Sequence, residues 1–158
     1  MSLIIQIVFA LLLFFFSSAV AWYEGSALLE HPSEWKHSAP FSQMMNEEVV
    51  QKGDLYPIDF FVYAAKFQPT FPLLMAISLI YIFVVLAHHY LSGRASSIGF
   101  AVLSLILLAC AGLIVNSPTE GGQIFTRLFF IVGLLCGAYS FVQAFRIKKQ
   151  MKAKKAEA

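Results

Sequence analysis

Charged side chains are scarce in this chain, and the places that lack them are informative. They make up 13% of the residues against 59% hydrophobic, too few to cover the surface of a water-soluble domain. No Asp or Glu lies in the middle of a long apolar run. That argues against a proton- or cation-coupled transporter built from this chain alone, because such carriers place ionisable groups at membrane depth. There is no C-x-x-C pair, so a thiol–disulfide oxidoreductase would have no redox centre. Cys110 and Cys136 each sit inside an apolar run, and at about 1.5 Å rise per residue their heights differ by roughly 10 Å. A disulfide needs Cα atoms within about 7 Å, so both thiols are expected to be small packing residues. The formal net charge of +2 is too small to imply a polyanionic partner, and no nucleic acid is expected.

What is present is apolar length. Four runs, 3–23, 71–91, 97–115 and 124–145, each meet the need for about 20 mostly apolar residues to cross a bilayer. An unpaired backbone is costly in lipid, so these runs should be helices. The expected fold is all-α, an up-down-up-down four-helix membrane bundle. A small cap over 24–70 joins the first and second helices, and a basic tail occupies 146–158. The first run ends in Ser17-Ser18-Ala19-Val20-Ala21, which resembles a signal-peptide cleavage site. No Lys or Arg precedes it, however, and Trp22-Tyr23 stands where an aromatic belt anchors a retained helix. A retained helix is the expectation, with cleavage as the alternative.

Sidedness follows from the basic residues. Six of the ten positions from Arg146 to Lys155 are Lys or Arg, which places the tail in the cytoplasm. The short link with Arg94 then also falls inside, and the link with Glu120 falls outside. The segment 24–70 lies outside as well, with seven acids against three lysines. Both termini are thus expected in the cytoplasm of a plasma membrane. Within the outer segment, Pro32-Ser33-Glu34-Trp35-Lys36 suits a helix start, and 59–67 reads as an apolar helix at the membrane surface. Asp59 and Lys66, two turns apart, share a similar face of it. About 47 residues build little core alone, so the cap should pack against the helix ends.

Glu30, His31, Glu34 and His37 are weak metal-ligand candidates. On one helix, His31 with Glu34 and Glu34 with His37 would share a face, and carboxylate and imidazole suit zinc. The spacing is not His-Glu-x-x-His, and a solvated polar stretch is the preferred reading. No catalytic or cofactor-binding residues and no cofactor are expected. His88 and His89 read as interfacial residues of a helix end. Arg127 is the one basic residue within a run, near its outer end, and reads as an interfacial anchor or a partner for Glu24, Asp59 or Glu120, with a ligand-binding role as the alternative. Gly133 and Gly137 form a G-x-x-x-G that permits close helix packing, within the bundle or, alternatively, in a homodimer. Lys148, Lys149, Lys152, Lys154 and Lys155 set orientation, and contact with anionic lipid is the alternative reading of them.

The motifs Trp22-Tyr23-Glu24-Gly25-Ser26, Glu34-Trp35-Lys36 and Asp59-Phe60-Phe61-Val62-Tyr63-Ala64-Ala65-Lys66-Phe67 resemble those of an uncharacterised family, a domain of unknown function. Its members are small multi-span membrane proteins of Bacillus-type bacteria. The resemblance covers roughly the first 90 residues. It implies a bacterial plasma-membrane location and carries no activity with it. Small multidrug exporters fit less well, because the first run lacks a Glu, as do quinone-linked thiol enzymes, because no cysteines are paired. The leading expectation is a non-enzymatic accessory or envelope-associated membrane protein, meeting a membrane-protein partner or a second copy. A subunit of a small transporter or channel is the runner-up. A metal-dependent membrane enzyme using Glu30, His31, Glu34 and His37 comes third.

Overall fold

The computed structural model describes residues 2–46 and 48–156, with side chains described as far as Met151. Among the described residues the secondary structure is all helical, as the apolar runs require. The helices are α1 (Leu3–Gly25), α2 (Trp35–Ser38), α3 (Pro40–Asn46), α4 (Ile58–Phe67), α5 (Thr70–Tyr90), α6 (Gly93–Ile114) and α7 (Glu120–Ala156). Short 3-10 turns occupy Ser26–Glu30, Pro32–Glu34 and Lys52–Asp54. Among the described residues four segments are long and apolar enough to cross a membrane: Leu3–Glu30, Thr70–Tyr90, Gly93–Ile114 and Glu120–Met151.

Burial on α1 is the reverse of that on a water-soluble helix. Ile4, Phe9, Leu12, Phe15 and Phe16 are exposed, while the buried residues are Ala10, Ser17, Ala21 and Gly25. The pattern is compatible with a hydrocarbon surround, which would solvate the large side chains and leave the small ones to set how closely helices approach.

Contacts divide the chain into two compact units, Met1–Ile80 with Pro118–Gly122, and Tyr81–Ser117 with Gln123–Ala158. In the first, the cap has its own apolar cluster of Leu28, Trp35, Ala39, Leu55, Phe60 and Tyr63, with Ala27, Leu29 and Val49 packed on it. The Trp35 indole N–H donates to the Leu28 carbonyl at 2.9 Å, satisfying the one polar atom that this ring would otherwise bury unpaired.

In the second unit α6 and α7 lie antiparallel. Ser97 Oγ donates to the Ser140 carbonyl at 3.0 Å, and Ser140 Oγ donates back to the Ser97 carbonyl at 2.7 Å. Two turns further along α6, and two turns back along α7, Ser104 Oγ donates to the Gly133 carbonyl at 2.7 Å. The Phe100 and Tyr139 rings meet between these bonds with centroids 4.6 Å apart.

The helix ends differ from the apolar runs. α7 continues to Ala156 where a separate tail was expected, because Lys, Gln, Met and Ala all favour helix and need no lipid to hold one. The side chains of Lys152, Lys154 and Lys155, and residues Glu157 and Ala158, lie outside the described residues. α6 starts at Gly93, whose φ of +54° is a left-handed conformation that glycine adopts without the Cβ penalty.

Candidate functional site

The cap is held together by two opposite charges on α4. Asp59 is fully buried. Its carboxylate accepts the backbone N–H groups of Phe41 (3.0 Å) and Ser42 (2.8 Å) and the Ser42 hydroxyl. Those N–H groups are in the first turn of α3, whose N-terminal donors have no partner within the helix. Asp59 therefore caps α3 from a distant part of the chain. The Ser42 hydroxyl in turn accepts the Tyr56 N–H at 2.9 Å, which ties the start of α4 to the same point.

Lys66, two turns along α4, does the reverse job. Its ammonium donates to the His37 carbonyl and, at 3.3 Å, to Ser38 Oγ, at the C-terminal end of α2. A carboxylate at a helix N-terminus and an ammonium at a helix C-terminus both oppose the local dipole. Ala39, fully buried, lies at the break between the two short helices. Partial burial pushes the Lys66 ammonium below its ordinary pKa, and the negative charge of Glu34 opposes that shift. Burial pushes the Tyr63 phenol up, and Glu34 adds to the shift.

Glycine sets how closely α4 approaches its neighbours. A Cβ on Gly25, at the end of α1, would lie 1.9 Å from the Phe60 carbonyl oxygen. A Cβ on Gly121, in the first turn of α7, would lie 1.9 Å from the Ala65 carbonyl oxygen. Both clashes are with backbone, so no side-chain rotation relieves them.

The metal-ligand candidates are put to separate uses. His31 lies outside helical geometry at φ −119° and ψ 74°, because the helical turn starts afresh at Pro32, and its ring stacks on Tyr63 at 6.1 Å. Glu34 accepts the Ser38 hydroxyl at 3.1 Å. Glu30 pairs with Lys52 at 2.7 Å on the exposed surface, and His37 is exposed. Among the described residues no group of three or more His, Cys, Asp or Glu is placed to hold a metal ion. A shallow cleft of about 420 Å³ opens beside this stretch, lined by Pro32, Trp35, Lys36, Gln43, Glu48 and Val49.

Of the acids considered for Arg127, Asp59 spends its oxygens on α3. Glu24 is half-buried, with Oε2 lacking a hydrogen-bond partner among the described residues, and Glu120 is exposed in the first turn of α7. Arg127 is itself exposed, as are His88, His89, Lys148 and Lys149. Gly133 and Gly137 face α6. A Cβ on Gly133 would lie 3.0 Å from Leu108 Cγ, and one on Gly137 would lie 2.9 Å from Ser104 Oγ. That face of α7 is thus covered within the chain.

Sequence reasoning did not find the Ser42–Asp59 bond, the Ser97, Ser104 and Ser140 bonds, or the roles of Gly25 and Gly121. Ser97 and Ser104 recur at two helical turns, a spacing that marks one face. Nothing local marks Ser42.

The 50–54 turn gives a pH-dependent test. The Asp54 carboxylate accepts the backbone N–H groups of Gln51 (3.0 Å) and Val50 (3.1 Å), and these bonds hold its carboxyl below the ordinary range. Their contribution is therefore present above the ordinary carboxylate pKa and is lost as pH falls through the lowered value. The Val50 and Gln51 amide resonances should shift together below about pH 4. Asp54→Asn should abolish that transition, and a titration unchanged by the substitution would assign it elsewhere.

Residues 4–91 match the model of the domain of unknown function DUF4306, which covers more than half of the chain. The chain belongs to this family. The DUF4306 segment comprises nearly all of α1, the cap and α5, so α6 and α7 lie beyond it. Over 86 residues the chain is 35% identical to the uncharacterised protein YjdJ of Bacillus subtilis (strain 168), an alignment covering 53% of this chain and 79% of that one. The family resemblance carried by the aromatic-acidic motifs is thereby established. No solved structure matches.

Proposed function

We propose that this DUF4306 protein is a non-enzymatic accessory protein of a bacterial cell membrane. Its termini lie in the cytoplasm, and its cap lies on the outer face, where it contacts an envelope protein. The observation that carries the reading is an apolar face on the cap. Phe41, Met44 and Met45 of α3 are exposed, as are Val50, Tyr56 and Ile58, with Met44 at 81% and Val50 at 76%. The Asp59 and Ser42 hydrogen bonds hold α3 beside the start of α4. A segment that had only to link two helices would need neither a buried cluster nor large apolar side chains turned outward. The cap is acidic, so the partner it suits carries an apolar patch with a basic rim. Sidedness rests on the basic stretch after Phe145 and on Arg94, against the acids of the cap.

Met44→Cys tests both parts, since Cys110 is only half-exposed and Cys136 is buried. A membrane-impermeant maleimide should label this variant on intact cells, and a short crosslinker at the same position should give one adduct of fixed mass. Adding Met45→Asp should abolish that adduct. Labelling only in inverted vesicles would overturn the sidedness, and free labelling without a discrete adduct would overturn the docking role.

A further inference from the structure

We propose that Arg94 and the basic stretch of α7 together form a binding site for the phosphate of anionic phospholipid headgroups, an inference that rests on the membrane reading above. The first observation is that α7 does not end with its apolar residues. It continues as helix through Ala156, and Arg146, Lys148 and Lys149 are all exposed on it. The exposed Phe141 and Phe145 immediately precede Arg146. The helix surface thus passes from apolar to basic within about one turn of 3.6 residues, as it would where acyl chains give way to phosphates.

The second observation brings in another element. The left-handed Gly93 starts α6, and the next residue, Arg94, places Nη2 3.4 Å from Met151 Sδ on α7. A guanidinium from the first turn of α6 is thereby held against the basic stretch. A thioether is a weak, neutral acceptor, so among the described residues most of the guanidinium donors stay open and its charge is not compensated.

Among the described residues these helices offer no acid to compensate it: from Phe60 to Thr119, and again from Gly121 to Ala156, the sequence has no Asp or Glu, and Glu157 lies outside the described residues. Like charges gathered at one end repel each other, so the arrangement favours an anion from outside the chain. Guanidinium matches phosphate geometry with two parallel hydrogen bonds. Free phosphate shares that chemistry. A lipid would also lay its acyl chains along Phe141 and Phe145, and this selects the lipid.

The test uses the purified full-length chain in detergent micelles, with native mass spectrometry counting retained phosphatidylglycerol against phosphatidylcholine. Phosphatidylglycerol should be preferred, and rising salt should weaken the preference. At about 1 kcal/mol for each basic residue near the surface, Arg94→Gln should lower it about fivefold. Arg146→Gln with Lys148→Gln and Lys149→Gln should lower it further, and Arg94→Lys should restore part of the single-variant loss. An unchanged preference in Arg94→Gln would overturn the two-element site. Displacement of the lipid by inorganic phosphate at equal concentration would overturn the lipid assignment. Flotation on phosphatidylcholine vesicles separates the two readings. A chain that does not float loses the membrane reading itself, whereas one that floats without lipid preference loses this inference alone.

Discussion

Gly25→Ala and Gly121→Ala are each expected to destabilise the folded cap by about 3 kcal/mol, the upper end of what an extra methyl in a filled space costs. In both cases the added carbon would fall 1.9 Å from a backbone carbonyl oxygen of α4, that of Phe60 or of Ala65. A flexible side chain would swing aside, but here the helix itself must move. Such a movement would strain the Asp59 and Lys66 bonds, which start from the same short helix. Gly112→Ala is the control, because a Cβ there meets nothing within 4 Å, and alanine favours helix over glycine by up to about 1 kcal/mol. Denaturation of the purified chain by increasing SDS, followed by tryptophan fluorescence in a Trp22→Phe background, would report the cap through Trp35. A Gly25→Ala chain as stable as the Gly112→Ala chain would show that α1 and α4 do not approach as closely as described.

Asp59→Ala should cost about as much, roughly 3 kcal/mol, for a different reason. The substitution leaves the Phe41 and Ser42 N–H groups without acceptors, the latter in a buried site, and removes the partner of the Ser42 hydroxyl. Asp59→Asn keeps one carbonyl oxygen and should recover part of the loss. Ser42→Ala in the Asp59→Ala background should add only the loss of the Tyr56 N–H bond to the Ser42 hydroxyl, since the Asp59–Ser42 bond is already gone. Hydrogen exchange at Phe41 and Ser42 is the direct readout. Wild-type protection of both amides in Asp59→Ala would exclude the capping role.

Either substitution should also disturb the apolar face proposed to dock a partner, because Phe41, Met44 and Met45 ride on the helix that Asp59 caps. Loss of the Met44→Cys crosslink in Asp59→Ala would therefore accompany loss of protection.

Run length and composition alone determined that the described residues are all-α with four membrane-length helices, because the thickness of a bilayer and the cost of an unpaired backbone act on each segment separately. The aromatic-acidic motifs likewise pointed to the family later matched over residues 4–91. The helix at 59–67 was legible from its apolar run, and so was the shared side of Asp59 and Lys66. What those two residues do was not. Their partners are Phe41, Ser42, His37 and Ser38, brought near only when the chain folds back, and no local pattern records that return. The same holds for Gly25 against Phe60, Gly121 against Ala65 and the serine bonds between α6 and α7. Hydrophobic patterning is a property of segments, and tertiary structure alone decided which backbone atoms of distant segments meet.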